Sequence, residues 1–301
     1  MFRKTLGIFI SLALVISAAA AGETSPSPAD LSAATIVDRN VAARGGLQAW
    51  RAVQTMSFAG KLTAGGNQRT ALPVPATDRK ASQRSSKMAF PSRPTEEVQL
   101  PFVMELKRTR KMRMELQFNG QTAIQVFDGA NGWKLRPFLN RREVEPYTTE
   151  EMKASSLQAD LDGFLVDYAA KGTRIELAGS EKVEDRDTYK LKLTMKNGQA
   201  IHVWIDAQSF LEAKIEGQPR RFDGIYHPVE VYYRDYRPEN GLQIPHVLET
   251  RVLPVAQPKA GAKQGSPVQA EKIMIDKVVV NPKLEESLFS KPDIAATPKT
   301  K

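Results

Sequence analysis

His202, His227 and His246 are the only imidazoles in the chain, and there is no cysteine. That inventory excludes disulfides, thiolate zinc sites, a cysteine nucleophile and the lipid-modified cysteine of a bacterial lipoprotein. The three histidines have no HExxH-type spacing, and each sits in a strand-like run where packing or surface exposure explains it. The sequence has no G-x-S-x-G elbow and no glycine-rich phosphate loop. Carboxylates are scattered; Asp128 and Asp162 suit a turn and a helix cap. Neither an enzyme, a cofactor nor a metal is expected.

The residues whose spacing does point to a task are apolar. Phe102, Met104 and Leu106 alternate with Val103, Glu105 and Lys107, and Met112, Met114, Leu116 and Phe118 alternate with Arg113, Glu115 and Gln117. Period two puts one oily and one charged face on a strand. Asn119-Gly120 is the preferred dipeptide of a two-residue hairpin. It leads into 121–127, with Ile124 and Val126 on one face, and then through Asp128-Gly129 and Asn131-Gly132 into Trp133 and Leu135. This reading places Met104, Leu106, Met112, Met114, Leu116, Ile124, Val126 and Trp133 on one side of a sheet. Further on, Tyr189, Leu191, Leu193 and Met195 alternate with polar residues, Asn197-Gly198 marks another hairpin, and Ile201, Val203 and Ile205 follow. With Phe102, Phe118, Leu193 and Met195 added, these eight form the candidate ligand-binding set. Thioether side chains adapt to varied apolar partners, although the same pattern also describes a filled core.

The elements that must position these residues are mostly strands. A helix starts near Asp30 or Ser32, carries Ile36, Val37 and Val41, and stops at Gly45-Gly46. Leu47, Trp50 and Val53 suggest one more helical turn before a first strand near 54–63. Residues 148–168 have helical character, with Thr149 as cap and Gly163 as divider. Strands are also expected at 211–215, 229–236, 242–252 and 273–280. The tally is ten to twelve strands with two or three short helical segments, a mainly β (α+β) fold. Strands joined by two-residue turns are antiparallel, and a one-sided sheet must cover its apolar face by curling, by pairing with another sheet or with helices. The helices are too few to fill a large concave face, so an apolar cavity is expected.

Charge and composition bound the rest. Arg3 and Lys4, the apolar run 6–16 and the small residues 17–22 read as a signal peptide over 1–21, cleaved after Ala20 or Ala21. Cleavage removes Arg3 and Lys4 and takes the net charge from +9 to +7. Residues 22–291 form the folded domain. Within it, 65–94 reads as a flexible basic insertion, with Arg69, Arg79, Lys80, Arg84, Lys87 and Arg93 against Asp78 alone. Residues 254–268 read as a flexible loop and 292–301 as a disordered tail. Export separates the chain from nucleic acid, so anionic headgroups are the better partner for its charge. A periplasmic monomer is expected.

The segment Ala43 to Met56 (ARGGLQAWRAVQTM) and the run Phe102 to Phe138 resemble bacterial outer-membrane lipoprotein-sorting proteins, the LolA-like family. So do Tyr189 to Ile215 and the late pair Asp235 to Glu249. The resemblance implies a single, strongly curved antiparallel sheet, an incomplete half barrel, with a few short helices covering its concave face. It also implies a cavity for acyl chains of lipids or lipoproteins, in transit to the outer membrane between membrane-anchored donor and acceptor proteins. Two alternatives stay open: an envelope-stress sensor or regulatory module on the same fold, and a secreted hydrolase assembled from distant carboxylates.

Overall fold

The computed structural model describes residues 31–64, 97–137, 141–222, 225–255 and 270–293. The signal segment 1–21, the basic stretch 65–94, and most of 254–268 and 292–301 lie outside them. Ser32 opens helix α1 (Ala33–Ala43), its hydroxyl accepting the Thr35 N–H at 3.1 Å. The helix ends because Gly45 and Gly46 take positive φ of 114° and 92°. A Cβ on Gly45 would stand 2.4 Å from the Gly241 carbonyl oxygen, so glycine also lets this corner touch the sheet. Helix α2 (Leu47–Ala52) follows and leads into the strands.

In chain order the strands are β1 (Thr55–Ala64), β2 (Val98–Lys107), β3 (Lys111–Phe118), β4 (Gln121–Phe127), β5 (Gly132–Arg136), β6 (Arg141–Pro146) and β7 (Arg174–Val183). They continue as β8 (Arg186–Thr194), β9 (Ala200–Asp206), β10 (Glu212–Phe222), β11 (Ile225–Glu239), β12 (Leu242–Val252) and β13 (Glu271–Val280). All thirteen form one antiparallel sheet in the order β6-β5-β4-β3-β2-β1-β13-β12-β11-β10-β9-β8-β7. The sheet is not closed, and it forms an incomplete half barrel. Helix α3 (Thr149–Gln158) and the turns after it connect the two edge strands, β6 and β7.

Three details differ from expectation. Among the described residues there are thirteen strands rather than ten to twelve, and the two without a sequence signal are the edges. β6 (RREVEP) and β7 (RIELAGSEKV) carry charges where alternation would be read, a common protection for an exposed edge. Helix α3 stops at Gln158, and its cap is Thr148, which forms a reciprocal capping box with Glu151.

The third difference is one of register. Asn119 and Gly120, at φ 50° and 70°, make a two-residue turn that sets Phe118 opposite Gln121. Directly paired residues project to the same side. Phe102 pairs Leu116, Met104 pairs Met114 and Leu106 pairs Met112, so these six share a face as expected. Across the turn, however, Met112 pairs Phe127 and Met114 pairs Gln125, whereas Ile124 faces Glu115 and Val126 faces Arg113. Val126 in turn pairs Trp133. Ile124, Val126 and Trp133 therefore lie on the opposite face from the methionines, correcting the expectation that all eight share one side. Parity was misjudged because β4 is buried on both faces, so apolarity does not reveal which face a residue takes.

Candidate functional site

The methionine face is the helix side of the sheet. Lys134 pairs Gln125, the partner of Met114, and its ammonium reaches Glu151 of α3. Tyr147 lies against Gly132, the partner of Phe127. The same face runs from Leu116 and Phe102 through Leu62, Ile273 and Leu248 to Val231, Ile215, Val203 and Leu191 by cross-strand pairing. At Gly60 the sheet bends: a Cβ there would stand 2.0 Å from the Met274 carbonyl oxygen, and the β1–β13 register shifts beside it.

Along this face, β3 grades from buried to half-exposed. Met112 is 1% exposed, while Met114, Leu116 and Phe118 are half-buried. β12 repeats the trend, from buried Leu242, Ile244 and His246 to half-buried Leu248 and Val252. Phe102 and Leu106 are buried, and Met104 is half-buried. Leu193 is fully buried in β8, and Met195 is half-buried just beyond it. Met195 donates its N–H to Gln199 O, so Asn197-Gly198 sits in a three-residue turn.

The buried end is the rim where α1 and α2 sit, held by a network of charges. The Arg44 guanidinium lies over Trp50, donates to Asp162 O at 3.1 Å and reaches Glu212 at 3.3 Å. Arg108 donates to Val53 O at 2.6 Å, Trp50 O at 2.9 Å and the Asp162 carboxylate at 2.9 Å. Lys171 joins at 2.9 Å from Asp160 and 3.1 Å from Asp162. Burial opposes ionisation of Asp162, yet the hydrogen bond from Asp160, the Lys171 charge and Arg108 outweigh it and pull its carboxyl down to about 2. Burial pushes Asp160 the other way. Each cation touches carbonyls or carboxylates, which is what makes buried charge tolerable.

The opposite face is not bare. Ile124, Val126 and Leu135 form a buried cluster there, with Trp133 and Val144 against it. The chain after β13 crosses the same face: Lys107 donates to Leu284 O at 3.0 Å, Lys111 bonds Glu286 at 2.6 Å, and Arg113 donates to Leu288 O at 3.2 Å. A 3-10 turn (Glu286–Phe289) then buries Phe289. Phe289 and Trp133 help line a hollow of about 490 Å³ with Lys111, Asp128, Glu286 and Lys291. A second hollow, of about 270 Å³, lies by Ile201, Gly217 and Val229. Neither is lined by the methionines. Alternation does not mark this C-terminal strap, whose apolar Leu284, Leu288 and Phe289 are spread through a polar stretch.

The histidines have structural partners. His246 is buried, with Nδ1 2.8 Å from Ile275 O and Nε2 3.0 Å from Glu239, and His202 Nδ1 lies 2.9 Å from Glu216. Among the described residues no cluster of three His, Asp or Glu is placed to hold a metal, and no helix is long and apolar enough to cross a membrane.

No protein-family model matches the chain, and no curated protein matches it by sequence. Solved structures do match. One is a domain named as an outer membrane lipoprotein-sorting protein, from Vibrio parahaemolyticus, at 12% identity and TM-score 0.50, covering 86% of this chain and 96% of that one. A LolA superfamily protein from Nitrosomonas europaea aligns at 13% identity and TM-score 0.50, covering 87% and 98%. A DUF1329 family protein from Desulfovibrio piger aligns at 11% and 0.50, covering 86% and 97%. At these identities the likeness is one of fold, and the fold is LolA-like.

Proposed function

We propose that the protein is a periplasmic carrier that binds acyl chains of lipids or lipoproteins on the helix side of its sheet and delivers them toward the outer membrane. The observation that carries this is the half-buried apolar strip of Met104, Met114, Leu116 and Phe118, which adjoins a fully buried row on a LolA-like fold. Phe102, Leu106 and Met112 back that strip as buried neighbours, Met195 lies half-buried farther along the same face, Leu193 belongs to the filled core beside it, and no bond chemistry is required. Burying apolar surface is worth about 0.8 kcal/mol per methylene, so a long chain gains several kcal/mol without any polar contact. The signal segment 1–21 supplies export, and the domain 22–291 does the binding as a monomer.

The test is binding of a fluorescent fatty acid, with mass spectrometry of lipids extracted from the purified protein. Wild type should bind the probe, and Met114→Gln, folded by circular dichroism, should lose most of that binding. A wild type that binds no probe and yields no lipid would favour the sensor reading.

A further inference from the structure

Cross-strand pairing sorts the helix-side residues into rows that run across the strands. One row is Phe127, Met112, Leu106 and Met56, and every member is buried, at 2%, 1%, 5% and 1% exposure. The next row is Gln125, Met114, Met104 and Phe58. There Gln125 is exposed, Met114 and Met104 are half-buried, and only Phe58 is buried. Exposure thus begins within a single step of two residues on three neighbouring strands, and in the following row it continues along β3 alone, where half-buried Leu116 lies between buried Ala123 and Phe102. Beyond the buried row stand Arg108 and Asp162, whose polar atoms are already engaged with backbone carbonyls and with one another. An apolar tail has nothing to gain there.

We infer that the row of Met112, Leu106 and Met56 is a floor that sets the longest acyl chain the site accepts, with the terminal methyl stopping beside Met114 at the closed edge of that row and the headgroup held at the far rim. This rests on the carrier reading above and adds a substrate class to it: single chains of bounded length. From Met112 to Phe118 the strand rises roughly 20 Å, at about 3.4 Å per residue. Affinity should rise about fourfold for each methylene that finds apolar surface and level off once the tail meets the floor.

The experiment is displacement of a bound fluorescent fatty acid by octanoate, decanoate, laurate, myristate, palmitate and stearate. Wild type should gain affinity along the series and reach a plateau. Met112→Ala removes part of the floor and should move the plateau to longer chains by at least one member. Met114→Phe adds bulk at a half-buried position and should move it to shorter chains even if Met112→Ala does not fold. A plateau that stays in place in the folded variants overturns the floor and leaves the carrier reading intact. Affinity that rises without limit through stearate does the same. A wild type that binds no probe overturns both.

Discussion

Strands β8 and β9 and strands β1 to β3 carry the same alternation on the same face, yet they end up differently. In β8 and β9, Leu191, Leu193, Ile201, Val203 and Ile205 are all buried along the whole strand. Helix α1 lies at that side, where Arg39 covers Phe210, which stacks on Tyr189. In β1 to β3, burial is complete at the helix rim, where Met56, Leu106 and Met112 sit, and beyond it buried Phe58 and Phe102 stand beside half-buried Met104, Met114, Leu116 and Phe118. Alternation therefore specifies that a face is apolar, and the elements laid on that face decide whether it becomes core or remains available.

Truncation of one side chain in each region separates the two most clearly. Leu191→Ala should cost about 2–5 kcal/mol in urea unfolding, the range for a fully buried leucine, whereas Met114→Ala should cost well under half as much. Equal losses would mean that the two halves are packed alike. The outer face offers a second contrast. Phe289→Ala should cost about 3 kcal/mol and speed amide exchange over 284–291, because that ring is the buried side chain of the 3-10 turn. Unchanged exchange there would show that the charge contacts alone hold the strap.

Acid should loosen the helix rim. The folded Asp162 carboxyl is lowered to about 2 against an ordinary value near 3.8, so the unfolded chain binds the extra proton between those values. Its contribution is present above about pH 4 and is lost as pH falls toward about 2. In Asp162→Asn the stability curve should be flatter over that window, measured by urea midpoints at stepped pH. The smallest effect is expected at α3, where Thr148→Ala removes one half of the capping box and should cost about 1 kcal/mol.

Much of the architecture could be read in advance, for identifiable reasons. Met112 to Phe118 and Tyr189 to Leu193 alternate cleanly, and Asn119-Gly120 marks a turn whose backbone demands those residue types. Alternation fails where a strand is an edge, which hid β6 and β7. It also fails where both faces are covered, which put Ile124, Val126 and Trp133 on the wrong side. The Arg44, Arg108, Asp162 and Lys171 network could not be read at all, since its members come from three distant segments and nothing in their spacing brings them together. The strap was invisible for the same reason: its partners Lys107, Lys111 and Arg113 are the polar half of an alternating pattern.

The most direct measurement is photo-crosslinking with a diazirine-bearing fatty acid, followed by mapping of the modified residues by mass spectrometry. We expect label on the helix-side strip, at Met104, Met114, Leu116 and Leu248. Label confined to the opposite face, around Trp133 and Phe289, or no label at all, would contradict the placement of the site.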